Sequence, residues 1–117
     1  MQVHVSTDNH IHGSERLIES ITQEVETVLG RFDGQITRVD VHLNDVNGPK
    51  GPGPDKRCLI EARLAGLHPV VASDQAATLN EAVSGASDKL FRLLETTLAK
   101  HRGNRGPQVS ASGQTTP

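Results

Sequence analysis

The sequence predicts an α+β domain in the order β-α-β-β-β-α: a four-stranded mixed sheet with two helices packed on one face. Three observations predict it. Apolar residues recur at steps of three and four from Leu17 to Phe32 and again from Leu79 to Thr97, the spacing that lines one face of a helix. Alternating patterns mark strands at 2–6, 36–44 and 57–64, with a shorter one at 70–73. The last three strands follow one another through turns, so they are antiparallel. The first enters through a helical crossover and lies parallel to its neighbour by a right-handed connection.

Each element has a local reason. In Gln2–Ser6, Val3 and Val5 share one side, and the loop Thr7–Gly13 follows. Ser14 caps a helix whose apolar face is Leu17, Ile18, Ile21, Val25, Val28, Leu29 and Phe32, and Asp33-Gly34 ends it. Its outer face carries Glu15, Glu19, Glu24 and Glu26, which repel phosphate. Ile36–Asn44 is the clearest strand, with Val39, Val41 and Leu43 inward and Arg38, Asp40, His42 and Asn44 outward. The Gly- and Pro-rich segment Asp45–Lys56 predicts a long mobile hairpin loop. Arg57–Leu64 points Cys58, Ile60, Ala62 and Leu64 inward and Leu59, Glu61 and Arg63 outward, Ala65–Pro69 turns the chain, and Val70–Ser73 is the fourth strand.

The stretch Ala72–Arg102 organises the rest. Leu79, Val83, Ala86, Leu90, Leu94 and Thr97 line one face of a helix, with Ser73 or Asp74 as its N-cap and Gly103 as its terminator. Gly85, beside Ala82 and Ala86, is expected to let the first helix approach closely. Residues 1–102 form a single domain on this reading. Residues 103–117, polar and without periodicity, form a disordered tail.

Composition narrows the function. A net charge of −2 and a pI near 6.3 argue against indiscriminate binding to nucleic acid or membrane. The charge is uneven, however. Residues 1–37 hold two basic and six acidic groups, whereas residues 89–117 hold five basic groups (Lys89, Arg92, Lys100, Arg102, Arg105) and one acid, Glu95. This basic end is the handle for a polyanion. The bland reading of the same residues is that cations near a helix C-terminus favour the macrodipole or solvate an exposed face.

The single cysteine, Cys58, excludes an internal disulfide and reads as a small core residue. With no tryptophan or tyrosine, and with Phe32 and Phe91 the only aromatic residues, the sheet has no platform for stacking bases. No basic-then-apolar leader and no long apolar run is present, so a soluble cytoplasmic protein without membrane association is expected. His4, Asp8, His10 and His12 invite a metal reading, but no further ligand pattern completes four, and a solvated loop is the simpler account. Gly48-Pro49-Lys50-Gly51 lacks the order of a phosphate-cradling loop, and Ser14 and Ser73 are explained as caps. No catalytic arrangement is legible, so an enzyme is not expected.

The order of elements, Glu61-Ala62-Arg63-Leu64 followed after a turn by Val70-Val71-Ala72-Ser73, and Asp88-Lys89-Leu90 followed by Arg92 and Leu94 resemble one family. It is the hibernation-promoting factor and ribosome-associated inhibitor family (sigma-54 modulation proteins) in its short form, and the resemblance covers about residues 1–102. Two departures stand out. Thr78-Leu79-Asn80 replaces the family's acidic–Met/Leu–Tyr triplet, and the first helix is acidic where members are richer in lysine and arginine.

The resemblance implies a protein of the bacterial stress and stationary-phase response. Such a protein binds the small ribosomal subunit through rRNA and sterically blocks the mRNA and tRNA path, without a cofactor. It also implies that Lys89, Arg92, Lys100 and Arg102 meet RNA, with Arg38, Arg57 and Arg63 adding contacts from the open sheet face. The alternative is a protein-interaction module with a reduced RNA footprint, a homodimer through the open sheet face or an exposed strand edge. Salt sensitivity separates the two.

Overall fold

The computed structural model describes residues 1–8, 14–46 and 55–105, with side chains as far as 101. The elements are β1 (Gln2–Thr7), α1 (Glu15–Leu29) with a 3-10 turn (Gly30–Phe32), β2 (Ile36–Asp45), β3 (Lys56–Leu64), β4 (Val70–Ala76) and α2 (Leu79–Arg105). The sheet order is β1-β2-β3-β4, parallel between β1 and β2 and antiparallel thereafter. This is the predicted α+β class and element order. α2 lies over β3 and β4, while α1 packs on β1 and against α2.

Alternation decided the inward residues correctly. Val39, Val41, Leu43, Cys58, Ile60, Ala62, Leu64 and Ala72 are buried on the helix side of the sheet. They meet Ile21, Val25 and Leu29 of α1 and Ala82, Val83, Ala86, Leu90, Leu94 and Leu98 of α2. Along α2 the buried position is Leu98, and Thr97 is only partly covered, because a 3.6-residue period drifts from a fixed step. Burial also pushes the Cys58 thiol up to about 12, with the neighbouring Asp74 charge adding to the effect, so Cys58 stays protonated as an inert core group. The end of α1 is pinned by an aromatic pair, Phe32 and Phe91, with centroids 5.1 Å apart. Arg31 lies over both rings and pairs with Glu95 at 3.2 Å.

Ser14 caps α1 as predicted, its hydroxyl accepting from the Leu17 amide at 3.1 Å. Other boundaries differ. The α-helix stops at Leu29, and a 3-10 turn carries the chain to Phe32. Asp45 and Lys56, expected in a loop, are instead a registered pair at the end of the β2–β3 ladder, and the Lys56 ammonium bridges Asp45 (3.3 Å) and Asp55 (3.2 Å). Expectations for the loop tip and for His10 and His12 fall on residues 9–13 and 47–54, outside the described residues. At Arg38 the β2–β3 register shifts past Thr37, whose hydroxyl donates to the Arg63 carbonyl. The turn into β4 contains Gly66 at φ +76°, a left-handed angle that glycine adopts without a β-carbon clash.

Strand β4 runs three residues beyond the expected Ser73. The pairs Cys58–Asp74, Arg57–Gln75 and Lys56–Ala76 extend its ladder with β3. Ser73 and Asp74 are therefore strand residues and not the cap of α2. The cap is Thr78, whose hydroxyl accepts from the Glu81 amide at 3.2 Å and donates to the Glu81 carboxylate at 3.1 Å. Thr78→Ala is expected to lower stability by about 1 kcal/mol, seen as a fall of several degrees in Tm, and Thr78→Ser to retain most of it. At the far end Gly103 does not stop α2, whose backbone continues to Arg105.

Ser87 is fully buried on α2, and its hydroxyl has no hydrogen-bond partner among the described residues. A buried unsatisfied hydroxyl costs stability, and alanine is the better helix former. Ser87→Ala is accordingly expected to raise the unfolding free energy by about 1 kcal/mol, measured by chemical denaturation.

Candidate nucleic-acid interface

Thr78 sets where α2 begins, and β4 sets how α2 lies. Lys89, Arg92, Thr96 and Lys100 then follow at steps of three and four on one stripe, beside the β4 edge. Lys89, Arg92 and Lys100 are exposed. Between this stripe and β4 runs a shallow cleft of about 390 Å³ lined by Ala72, Ser73, Lys89, Arg92, Leu93 and Thr96. Leu93, 43% exposed, stands between the cations. Arg102 lies in the helix beyond the residues whose side chains are described.

Lys89 is not a free cation. Its ammonium lies 2.9 Å from Asp74 Oδ1 and also donates to the Ser73 carbonyl at 3.4 Å. Asp74 stands on the helix side of β4 and reaches over α2 at Gly85, where a β-carbon would collide with its carboxylate. The close approach at Gly85 is thus made by Asp74 of β4, not by the first helix. Glycine in a helix interior costs about 1 kcal/mol relative to alanine, and here it makes room for an ion pair. The Lys89 hydrogen bond holds the Asp74 carboxyl below its ordinary 3.8.

The three sheet arginines lie on the opposite face, away from the α2 stripe. Arg38 and Arg63 are registered neighbours, and both turn to Asp40: Arg38 Nε at 2.9 Å from Oδ1, and Arg63 Nε at 3.9 Å from Oδ2. Arg63 also lies 3.8 Å from Glu61. Arg57 is exposed farther along β3, next to Gln75 of β4. The site is therefore two cation groups on opposite sides of one sheet, partly neutralised by Asp74, Asp40 and Glu61. Sequence reasoning missed these carboxylates as partners. The outward alternation of Asp40 and Glu61 with Arg38 and Arg63 was the available signal for the sheet group. The acids of α1 (Glu15, Glu19, Glu24, Glu26) are exposed as expected.

Among the described residues no group of three or more His, Cys, Asp and Glu side chains could hold a metal ion, and no helix is long and apolar enough to cross a membrane. Fold and surface together define a small two-layer domain with a stripe of exposed cations on its second helix and a group of arginines on the sheet face opposite the helices. Residues 3–102 match the family described as Sigma 54 modulation protein / S30EA ribosomal protein, and the chain belongs to that family. It is the family that the strand and helix motifs resemble.

Two solved structures share the fold. The N-terminal domain of Protein Y from Thermus thermophilus is similar over 83% of this chain and 99% of its own, with a TM-score of 0.65 and 15% identity. A ribosomal subunit interface protein from Coxiella burnetii is similar over 88% and 99%, with a TM-score of 0.62 and 17% identity. No curated protein matches the chain by sequence.

Proposed function

We propose that this protein binds the small ribosomal subunit through rRNA and silences translation by occupying the path of mRNA and tRNA, a cytoplasmic role in stress and stationary phase. The observation that carries the reading is family membership across residues 3–102, nearly the whole described domain. The likeness of the fold to a protein described as a ribosomal subunit interface protein supports it. The binding unit is the single domain, whose last helix runs to Arg105. The reading needs no bond-making chemistry and no cofactor, because a steric block requires only a complementary surface.

In this reading Arg92, Lys100 and Arg102 supply phosphate contacts, joined by Lys89 and, from the sheet face, by Arg38, Arg57 and Arg63. Arginine suits such contacts because its planar fork can engage two phosphate oxygens at once. The test is co-sedimentation of the protein with isolated small and large ribosomal subunits, beside a variant with Lys89, Arg92, Lys100 and Arg102 changed to alanine. The wild type is expected to travel with the small subunit and the variant to stay at the top of the gradient. A wild type that remains unbound even at low salt ends this reading.

A second reading is favoured by the paired cations and by Val71 and Leu93, both more than two-fifths exposed on β4 and α2. It is a protein-interaction module, dimeric through the sheet face or the β4 edge. An apolar dimer would survive the rise in salt that dissolves a phosphate-driven complex.

A further inference from the structure

We propose that Asp74 is a built-in competitor for the polyanion at the α2 stripe: it occupies Lys89 until a ligand displaces it, and so sets how tightly this face binds. The inference rests on the reading that the stripe meets RNA, and it concerns the regulation of that same site.

Three observations carry it. The Lys89 ammonium already has an anionic partner at 2.9 Å and a carbonyl at 3.4 Å, so two of its three N–H donors are taken and an arriving phosphate must compete with a carboxylate for them. Asp74 is placed by the β3–β4 ladder, registered with Cys58 on the helix side of the strand, so its position is a property of the fold. Gly85 lacks the β-carbon that would collide with the carboxylate, so the helix keeps space for Asp74 one turn before Lys89. Arg92, one turn on, lines the same cleft.

The consequence is a threshold. A lone anion gains little by exchanging with Asp74, because it meets both the carboxylate's charge and the loss of an existing bond. A chain of phosphates can seat on Arg92 and Lys100 first and then draw Lys89 across, since further contacts follow without a new loss of translational freedom. Acid does not open the contact under ordinary conditions. The hydrogen bond from Lys89 lowers the Asp74 pKa from its ordinary 3.8, so the carboxylate stays charged throughout the neutral range.

The test measures binding of purified small ribosomal subunits, and of a fluorescent single-stranded RNA oligonucleotide, across a salt series. The proteins compared are wild type, Asp74→Asn, Gly85→Ala, and Asp74→Asn combined with Lys89→Ala, with thermal melts checking that each is folded. Asp74→Asn is expected to tighten binding about five- to tenfold across the salt series, with little change in the log K against log salt slope because Lys89 meets phosphate in both complexes. Gly85→Ala expels the carboxylate by a different route and is expected to shift affinity in the same direction. Adding Lys89→Ala is expected to cancel the gain.

Unchanged or weaker binding by Asp74→Asn overturns the inference, because the pair would then be positioning Lys89 for its ligand. A gain that persists without Lys89 also overturns it, since it would come from overall charge alone. If the wild type binds and the variants match it, this inference alone fails. If no protein in the set binds at any salt, the RNA reading fails and the inference with it. Binding by Asp74→Asn where the wild type shows none would be its strongest support.

Discussion

Replacing Leu90 by alanine is expected to lower the unfolding free energy by about 3–4 kcal/mol, a large part of the total for a domain of this size. Leu90 is fully buried near the middle of α2, among the residues that close the helix layer over β3 and β4. Removing its side chain leaves a cavity walled by a helix and by hydrogen-bonded strands, neither of which can collapse freely, so cavity and transfer terms both count. At roughly 4–8 °C per kcal/mol, the melting temperature should fall by well over 10 °C. Leu93→Ala is the control, because the exposed side chain three residues on should cost no more than about 0.5 kcal/mol. Denaturant melts of the two variants check the prediction. Equal losses would mean that α2 does not pack on the sheet by the Leu90 face.

Raising salt from about 50 to about 200 mM is expected to weaken association with the small subunit by roughly fifty- to one-hundredfold. The arithmetic assumes four phosphate contacts. Each cation that neutralises a phosphate releases about 0.7–0.9 of a counterion, so log affinity falls with log salt at a slope near −3, and a fourfold rise in salt removes nearly two decades. Arg92, Lys100 and Arg57 have no ion pair among the described residues and, with Arg102 of the same helix as Arg92, make up that number, whereas Lys89, Arg38 and Arg63 start out paired with Asp74 and Asp40. The acidic face of α1 contributes nothing favourable to a phosphate contact. Affinity titrations at four or more salt concentrations give the slope. A slope near zero would identify an apolar interface and favour the protein-interaction reading.

The legible parts of the fold were those governed by local pattern. Alternation placed Val39, Val41, Leu43, Cys58, Ile60 and Ala62 on the buried side, because a strand covered on one face must present every second residue to it. Ser14 was legible as a cap because its partner, the Leu17 amide, is three residues away. The start of α2 was not. Ser73 and Asp74 have the chemistry of helix caps, but their backbones are claimed by the ladder with β3, a partner well removed along the chain. The cap function passed to Thr78, where the strand had ended and Glu81 stood three residues on.

The candidate site divides in the same way. The cations were visible as a basic run on α2 and as outward residues of β2 and β3, because charge and facing direction are written in composition and period. The pairs Arg38–Asp40 and Arg63–Glu61 lie two residues apart within one strand, where alternation signals them. The partners across elements were not legible, because Asp74 meets Lys89 across a strand–helix contact and Asp40 meets Arg63 across two strands. By itself the sequence determined the order of elements, the residues that face the core and the end of the chain that carries positive charge. Only the tertiary structure decided which of the described charges are paired across elements. Ion pairing depends on distance through space, and in this protein that distance is set by strand register and by the absence of a side chain at Gly85.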